Sequence, residues 1–259
     1  MAKDIVNKPA APLPVAMSDM EGDAYLGFEG MSAKDIAIPY LQVLQALSPQ
    51  VKKGPSKVDG ADEGDIYNSV SSKVYKGDKG IRVVPCAYQK RWVEWVDRDA
   101  GGGFVKAHET EAILDHTTKN QQGRDVLKNG NVIVTTAYHY VLLVSEDGSY
   151  ERVVMSLTST QLKKSRKWNA VMTSIQLQGK NGKFNPPSFS HSYLLHTVQE
   201  TKDKLSWFGW NMEAPELIAD PGLYAAAKKF NADVSGGTVK VATPDTEHTE
   251  TGPATSENF

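Results

Sequence analysis

Two strand-like runs joined by a tight turn constrain this fold most. Val132 to Ser145 (VIVTTAYHYVLLVS) is rich in β-branched and aromatic residues, Glu146-Asp147-Gly148 supplies turn residues, and Tyr150 to Leu157 returns. Such residues fit a pleated surface, and an Asp-Gly step between two such runs signals a β-hairpin. Ile81 to Val96 (IRVVPCAYQKRWVEWV) has the same composition. Pro85 within it has no amide to donate, which predicts an edge position or a bulge. Gly101-Gly102-Gly103 ends that unit, and Phe104 is expected to enter another short strand.

Helices are fewer. Pro39 followed by Tyr40, Leu41, Val43, Leu44 and Leu47 near helical spacing predicts a short helix that stops at Ser48-Pro49. Thr158-Ser159-Thr160 supplies an N-cap for a helix over about 161–177, with Leu162, Trp168, Val171, Met172 and Ile175 near one face. Residues 178–187 read as a loop, 189–198 and 206–212 as strands, and 221–230 as a final helix. The order is strands, a capped helix, then two more strands. A Greek-key barrel of the oligonucleotide-binding type has three strands, a helix and two strands. A sheet with a helix on one face has the same order, so periodicity leaves both open. The expected class is mainly β with helices (α+β), an oligonucleotide-binding-like partly open barrel.

At 259 residues the chain has room for one large domain or two small ones, and 40% hydrophobic residues are enough for a core. Residues 1–30 mix Ala, Pro, acids and isolated apolar residues without a period and read as a flexible arm. Residues 31–234 read as one β-rich nucleic-acid-binding domain. From 235 to 259 the chain is Gly, Thr, Pro, Ser and acid, which predicts a disordered acidic tail. No run approaches the roughly 20 apolar residues of a membrane helix, and the N-terminus lacks the apolar core of a secretory signal. The single cysteine, Cys86, forms neither an intrachain disulfide nor a structural zinc site alone. These features point to a cytoplasmic protein without a membrane partner.

The net charge of −2 conceals an uneven distribution. Val153 to Gln199 contains no acid but carries Lys163, Lys164, Arg166, Lys167, Lys180 and Lys183. Val241 to Phe259 contains no Lys or Arg but carries Asp245, Glu247, Glu250 and Glu257. In Lys163-Lys164-Ser165-Arg166-Lys167-Trp168, no acid stands at helical pairing distance, so a polyanion would relieve the mutual repulsion. Tyr88-Gln89-Lys90-Arg91-Trp92 interleaves aromatics with cations, a pattern that suits base stacking and phosphate neutralisation. Alternation puts Tyr88, Lys90, Trp92 and Glu94 on one side and Arg91, Val93 and Trp95 on the other. The competing reading of these aromatics, Trp168 above all, is core packing.

Enzyme signatures are missing: there is no Walker loop, G-x-G-x-x-G, G-x-S-x-G or H-E-x-x-H. The six histidines do not pair with cysteines at metal-ligand spacing. No enzyme, cofactor or metal is expected. Glu94 and Asp97 leave a metal-dependent nuclease as the reading from another class.

The basic, aromatic-bearing β-rich body followed by an acidic tail ending in Phe259 resembles bacteriophage replication-associated single-stranded DNA-binding proteins. The segments IPYLQVLQALSPQ, GDIYNSV, VVPCAYQKRWVEW with GGGF, and LKKSRKW are similar to uncharacterised phage proteins. The resemblance implies an oligonucleotide-binding barrel, cooperative or dimeric coating of exposed strands in the host cytoplasm, and tail contacts with polymerase, helicase or primase. Asp245, Glu247, Glu250, Glu257 and Phe259 map onto the family's tail pattern, although this tail is sparser in acid and richer in Thr. The expected function is sequence-tolerant single-stranded DNA binding. Lys90, Arg91, Lys163, Lys164, Arg166, Lys167, Lys180 and Lys183 would neutralise phosphates, and Tyr88, Trp92 and Trp168 would stack on bases. A strand-annealing or recombination-mediator role is the alternative on the same groove.

Overall fold

The computed structural model describes residues 20, 22–24, 26–31, 35–36 and 38–239. Contacts divide the chain into a segment 1–36 and a body 37–259. In the first, Met20, Leu26, Phe28, Met31 and Ile36 are exposed. Much of the expected arm, and the expected tail from residue 240 onward with Asp245, Glu247, Glu250, Glu257 and Phe259, lie outside the described residues.

The body is mainly β. Its strands are β1 (Tyr40–Val43), β2 (Ile66–Asn68), β3 (Val74–Tyr75), β4 (Ile81–Trp95), β5 (Phe104–His108), β6 (Thr117–Lys119), β7 (Asp125–Leu127), β8 (Val132–Val144), β9 (Tyr150–Thr158), β10 (Leu177–Gly179), β11 (Gly182–Phe184), β12 (His191–Lys202), β13 (Leu205–Met212) and β14 (Glu216–Leu217). Among the described residues of the body, two α-helices join them, α1 (Gln161–Ser174) and α2 (Pro221–Ser235). Among the described residues, twelve strands form one sheet, whose main path is β13-β12-β4-β8-β9-β1-β2-β3. The long strands β4, β8 and β9 form an antiparallel meander. The chain then crosses through α1, and β12 and β13 pair antiparallel on the other side of β4. Three strands, a helix and two strands therefore build a strongly curled half-barrel, the expected class.

The predicted hairpin is β8–β9, with Ala137 opposite Leu157 and Val141 opposite Val153. Its turn is pinned by Asp147, whose Oδ1 accepts from Ser149 N at 2.9 Å and Ser149 Oγ at 2.6 Å. Pro85 lies in a central strand, and the β4–β8 register shifts between Pro85 and Ala87. The bulge accommodates the missing amide.

The sheet is buried on both faces. One cluster unites Leu41, Ile66, Val83, Val141, Leu157, Trp168, Tyr193 and Trp210. It draws on both ends of the strand path, β1–β2 and β13, and so lies inside the curl. The other unites Tyr40, Val84, Cys86, Tyr140, Val154, Phe189 and Phe230 beneath α2, on the outside. Helix α2 begins with Asp220, whose Oδ1 accepts from Gly222 N at 2.7 Å, and with Pro221 at its first turn.

The helix expected at 40–47 is not formed. Tyr40 pairs in parallel with Val154 of β9, and Leu41 pairs antiparallel with Asn68 of β2. Tyr40 enters the outer core and Leu41 the inner one, a period of two that needs the neighbouring strands on both sides. Residues 177–184, read mostly as loop, form the β10–β11 hairpin. Among the described residues no helix is long and apolar enough to cross a membrane.

Candidate nucleic-acid interface

Helix α1 organises the basic surface. It buries Gln161, Ser165 and Trp168, spaced four and three residues apart on one face. Trp168 is 2% exposed, stacks on His139 of β8 at 4.6 Å between ring centroids, and meets Tyr193 edge-on at 5.6 Å. Ser165 Oγ lies 2.8 Å from His139 Nε2. Burial lowers the His139 pKa to about 3, so the ring is neutral in this stack. Trp168 is thus the bolt that holds α1 to the inner sheet face. It is withdrawn from the stacking residues because no base can reach it.

The opposite face of α1 is exposed at Lys163, Arg166, Lys167 and Ala170. Three cations therefore stand on one stripe at the N-terminal half of the helix. That end carries no acid in its first turn, and Thr160 at the cap position makes no side-chain cap hydrogen bond. The predicted cap is unmade because Thr160 has helical backbone angles, φ −59° and ψ −26°. Cations at the positive end of a helix dipole are unfavourable by about 0.3–1 kcal/mol each, and an anion reverses that sign.

Lys164 is half-buried. Its Nζ is 2.7 Å from Glu200 Oε1 of β12, and the same carboxylate accepts from Trp207 Nε1 at 3.0 Å. No acid lies near Lys164 along the chain, but the fold delivers one from β12. Lys164 is thus an internal strut.

The β10–β11 hairpin is anchored at the other end of α1. Asn185 Nδ2 donates to Thr173 O at 2.9 Å and to Ile175 O at 3.1 Å, tying the hairpin to the C-terminal end of α1. Lys180 and Lys183 are exposed and, like Lys167, form no ion pair among the described residues. Phe184 is 47% exposed, with its ring over Gly179. Sequence reasoning passed over Phe184. The signal was the Asn181-Gly182 step shortly after Gly179, a hairpin cue that makes the next aromatic a strand residue with a defined side.

A profile of the Pam3 phage gp34-like proteins matches residues 7–240. The chain belongs to that family. The phage character implied by the resemblance is therefore established, at the level of a family description that names no biochemical role. No curated protein and no solved structure matches the chain.

In this gp34-like chain the β4 residues divide between the faces as alternation predicted. Tyr88, 43% exposed, meets His139 edge-on at 5.1 Å, which places it beside the footprint of α1. Lys90 Nζ sits 5.0 Å from the Trp92 ring centroid, and Trp92 is only 6% exposed. Trp92 is therefore also withdrawn as a stacking surface. Arg91 projects to the outer face, 4.0 Å from Glu109, and does not join the α1 stripe. The two acids of the nuclease reading separate. Glu94 accepts from Asn131 Nδ2 at 2.6 Å and lies 2.9 Å from His108 Nε2, and these bonds, Asn131 first, hold its pKa down. Asp97 instead accepts from Asp99 N at 2.9 Å at the start of a short turn. Among the described residues no group of three or more His, Cys, Asp or Glu is placed to hold a metal. The Cys86 thiol is buried, and burial pushes its pKa up to about 12, so it is a core residue and not a nucleophile.

Proposed function

We propose that this chain is a sequence-tolerant single-stranded DNA-binding protein that coats exposed strands during phage DNA replication or recombination. The observation that carries the reading is the exposed stripe of Lys163, Arg166 and Lys167 on the N-terminal half of α1, whose first turn holds no acid. The helix dipole and the three side chains act in the same direction, toward a bound anion. Lys180 and Lys183 of the hairpin and Lys90 of the sheet are further exposed cations. A run of this kind suits a polyanion more than a single ion, because each phosphate neutralised releases counterions.

The preference for single strands rests on exposed rings. Tyr88 and Phe184 replace the buried Trp92 and Trp168 as stacking residues. Stacking on an aromatic face is worth about 1–3 kcal/mol per base and needs an unpaired base. In the same reading, the acidic segment with Asp245, Glu247, Glu250, Glu257 and Phe259 recruits replication proteins such as polymerase, helicase or primase.

Fluorescence anisotropy of labelled oligo-dT and of a duplex of equal length tests this. Tight binding of oligo-dT with much weaker duplex binding is expected. Equal affinity for both, or no binding of either at low salt, contradicts the reading.

A further inference from the structure

The β10–β11 hairpin carries its exposed ring on a face of its own. The turn is Lys180-Asn181, and Gly179 pairs with Gly182, Gln178 with Lys183 and Leu177 with Phe184. Cross-strand partners share a face, so Leu177, Gly179, Gly182 and Phe184 lie on one side and Gln178 and Lys183 on the other. Two of the four residues on the first side are glycines. Beyond Leu177, the Phe184 ring has that side to itself.

The two glycines stand there for different reasons. Gly182 has φ +110°, where an L side chain is strained, and a Cβ on it would meet nothing within 4 Å. The backbone of the turn demands that glycine. Gly179 lies outside the left-handed region, and a Cβ on it would instead stand 3.2 Å from both Cδ1 and Cε1 of Phe184. One side of the ring therefore rests on bare backbone, while the residue stays 47% exposed. The chain after the ring is fixed. Asn185 Nδ2 donates to Thr173 O and Ile175 O at the end of α1, and Pro187 follows with φ −64° and ψ 157°. The ring is thus oriented in advance, and little side-chain entropy is left to lose when a base lies on it.

We infer that this hairpin is a platform for one unpaired base, with Phe184 the ring on which the base stacks and Gly179 the positioning residue that lets the ring lie open. The inference rests on the single-strand reading above and deepens it, because it assigns ring and charge to opposite sides of the hairpin. Stacking neutralises no phosphate and releases no counterion. Phe184 and Gly179 therefore set the strength of binding without its salt dependence, whereas Lys183 contributes to the salt dependence.

Oligo-dT titrations at several salt concentrations read both quantities in full-length variants, with melting temperatures reporting whether each is folded. Phe184→Leu keeps an apolar side chain but has no π-face, and it is expected to weaken oligo-dT about tenfold at every salt concentration. Phe184→Trp recovers the loss, because the larger ring still stacks. Gly179→Ala suits the backbone and forces only the ring to move, so it weakens binding by a smaller factor, about threefold, at an unchanged melting temperature. In all three the slope of log K against log salt equals that of the wild-type chain, whereas Lys183→Ala lowers the slope by about 0.7. If Phe184→Leu is unfolded, Gly179→Ala decides. A loss in Phe184→Leu that comes with a changed slope marks a loosened hairpin and overturns the platform. Wild-type affinity in both Phe184→Leu and Gly179→Ala also overturns it, and leaves the single-strand reading intact. A wild-type chain that binds no oligo-dT at low salt ends both.

Discussion

The side chain of Gln45 pairs with the backbone of Phe208 as a strand would. Its Nε2 donates to Phe208 O at 2.9 Å, and its Oε1 accepts from Phe208 N at 2.9 Å. Two residues along, Gln161 Oε1 accepts from Trp210 N at 2.9 Å. The open edge of β13 is thus satisfied by two side-chain amides, which link it to the loop after β1 and to the start of α1. An unpaired edge invites pairing with another chain, so the clasp both closes the curl and protects it.

Gln45→Ala removes both Phe208 partners from a site where Gln45 is buried. The expected loss of stability is about 1–3 kcal/mol, measured as a lower urea midpoint, with a greater tendency to self-associate. An unchanged midpoint contradicts the role of the clasp.

Gly77 is required by close packing. A Cβ there would overlap Gly64 O and Thr197 Oγ1, and the Gly77 carbonyl accepts from Thr197 N at 2.9 Å. Gly77→Ala is expected to destabilise the chain by about 1–3 kcal/mol in chemical denaturation. Gly54, with nothing within 4 Å of its added Cβ, is the control position.

His139 makes stability depend on pH. Its folded pKa is depressed to about 3 by burial, below its ordinary value of 6.5. Above pH 6.5 neither state binds the extra proton, and the term is flat. Below 6.5 the unfolded chain takes up a proton that the folded chain refuses, so stability falls as pH drops toward 3, by at most about 1.4 kcal/mol per pH unit. Melting curves between pH 7 and 4 should show this slope, and His139→Gln should reduce it, leaving the smaller contribution of His191, whose pKa burial also lowers. An equal slope in both proteins rules His139 out as its source.

Lys164 and Lys167 are neighbours on one helix with different roles. Lys164→Ala strands Glu200, which also holds Trp207, and should cost about 1 kcal/mol of stability. Lys167→Ala should change stability by less than about 0.5 kcal/mol and weaken oligo-dT binding instead. The reverse pattern would mean that the exposed stripe is not the contact surface.

Much of the architecture was legible because it is local. The β8–β9 hairpin announces itself through β-branched runs around Asp147-Gly148, and the bulge in β4 through Pro85. Tyr40–Val43 was not legible, since its strand state comes from β9 and β2, which are remote in sequence. The site was half legible for the same reason. The cationic cluster was visible, and alternation separated Arg91 from Lys90. The ion pair of Lys164 with Glu200 spans 36 residues and leaves no local trace, as does the burial of Trp92 and Trp168.

The most direct test is the salt dependence of oligo-dT affinity, compared between the wild-type chain and a triple variant with Lys163, Arg166 and Lys167 changed to Ala. The account predicts that log K falls linearly with log salt in the wild-type chain, and that the triple variant loses about two units of slope while its melting temperature holds. Identical slopes in the two proteins would show that the α1 stripe does not carry the strand.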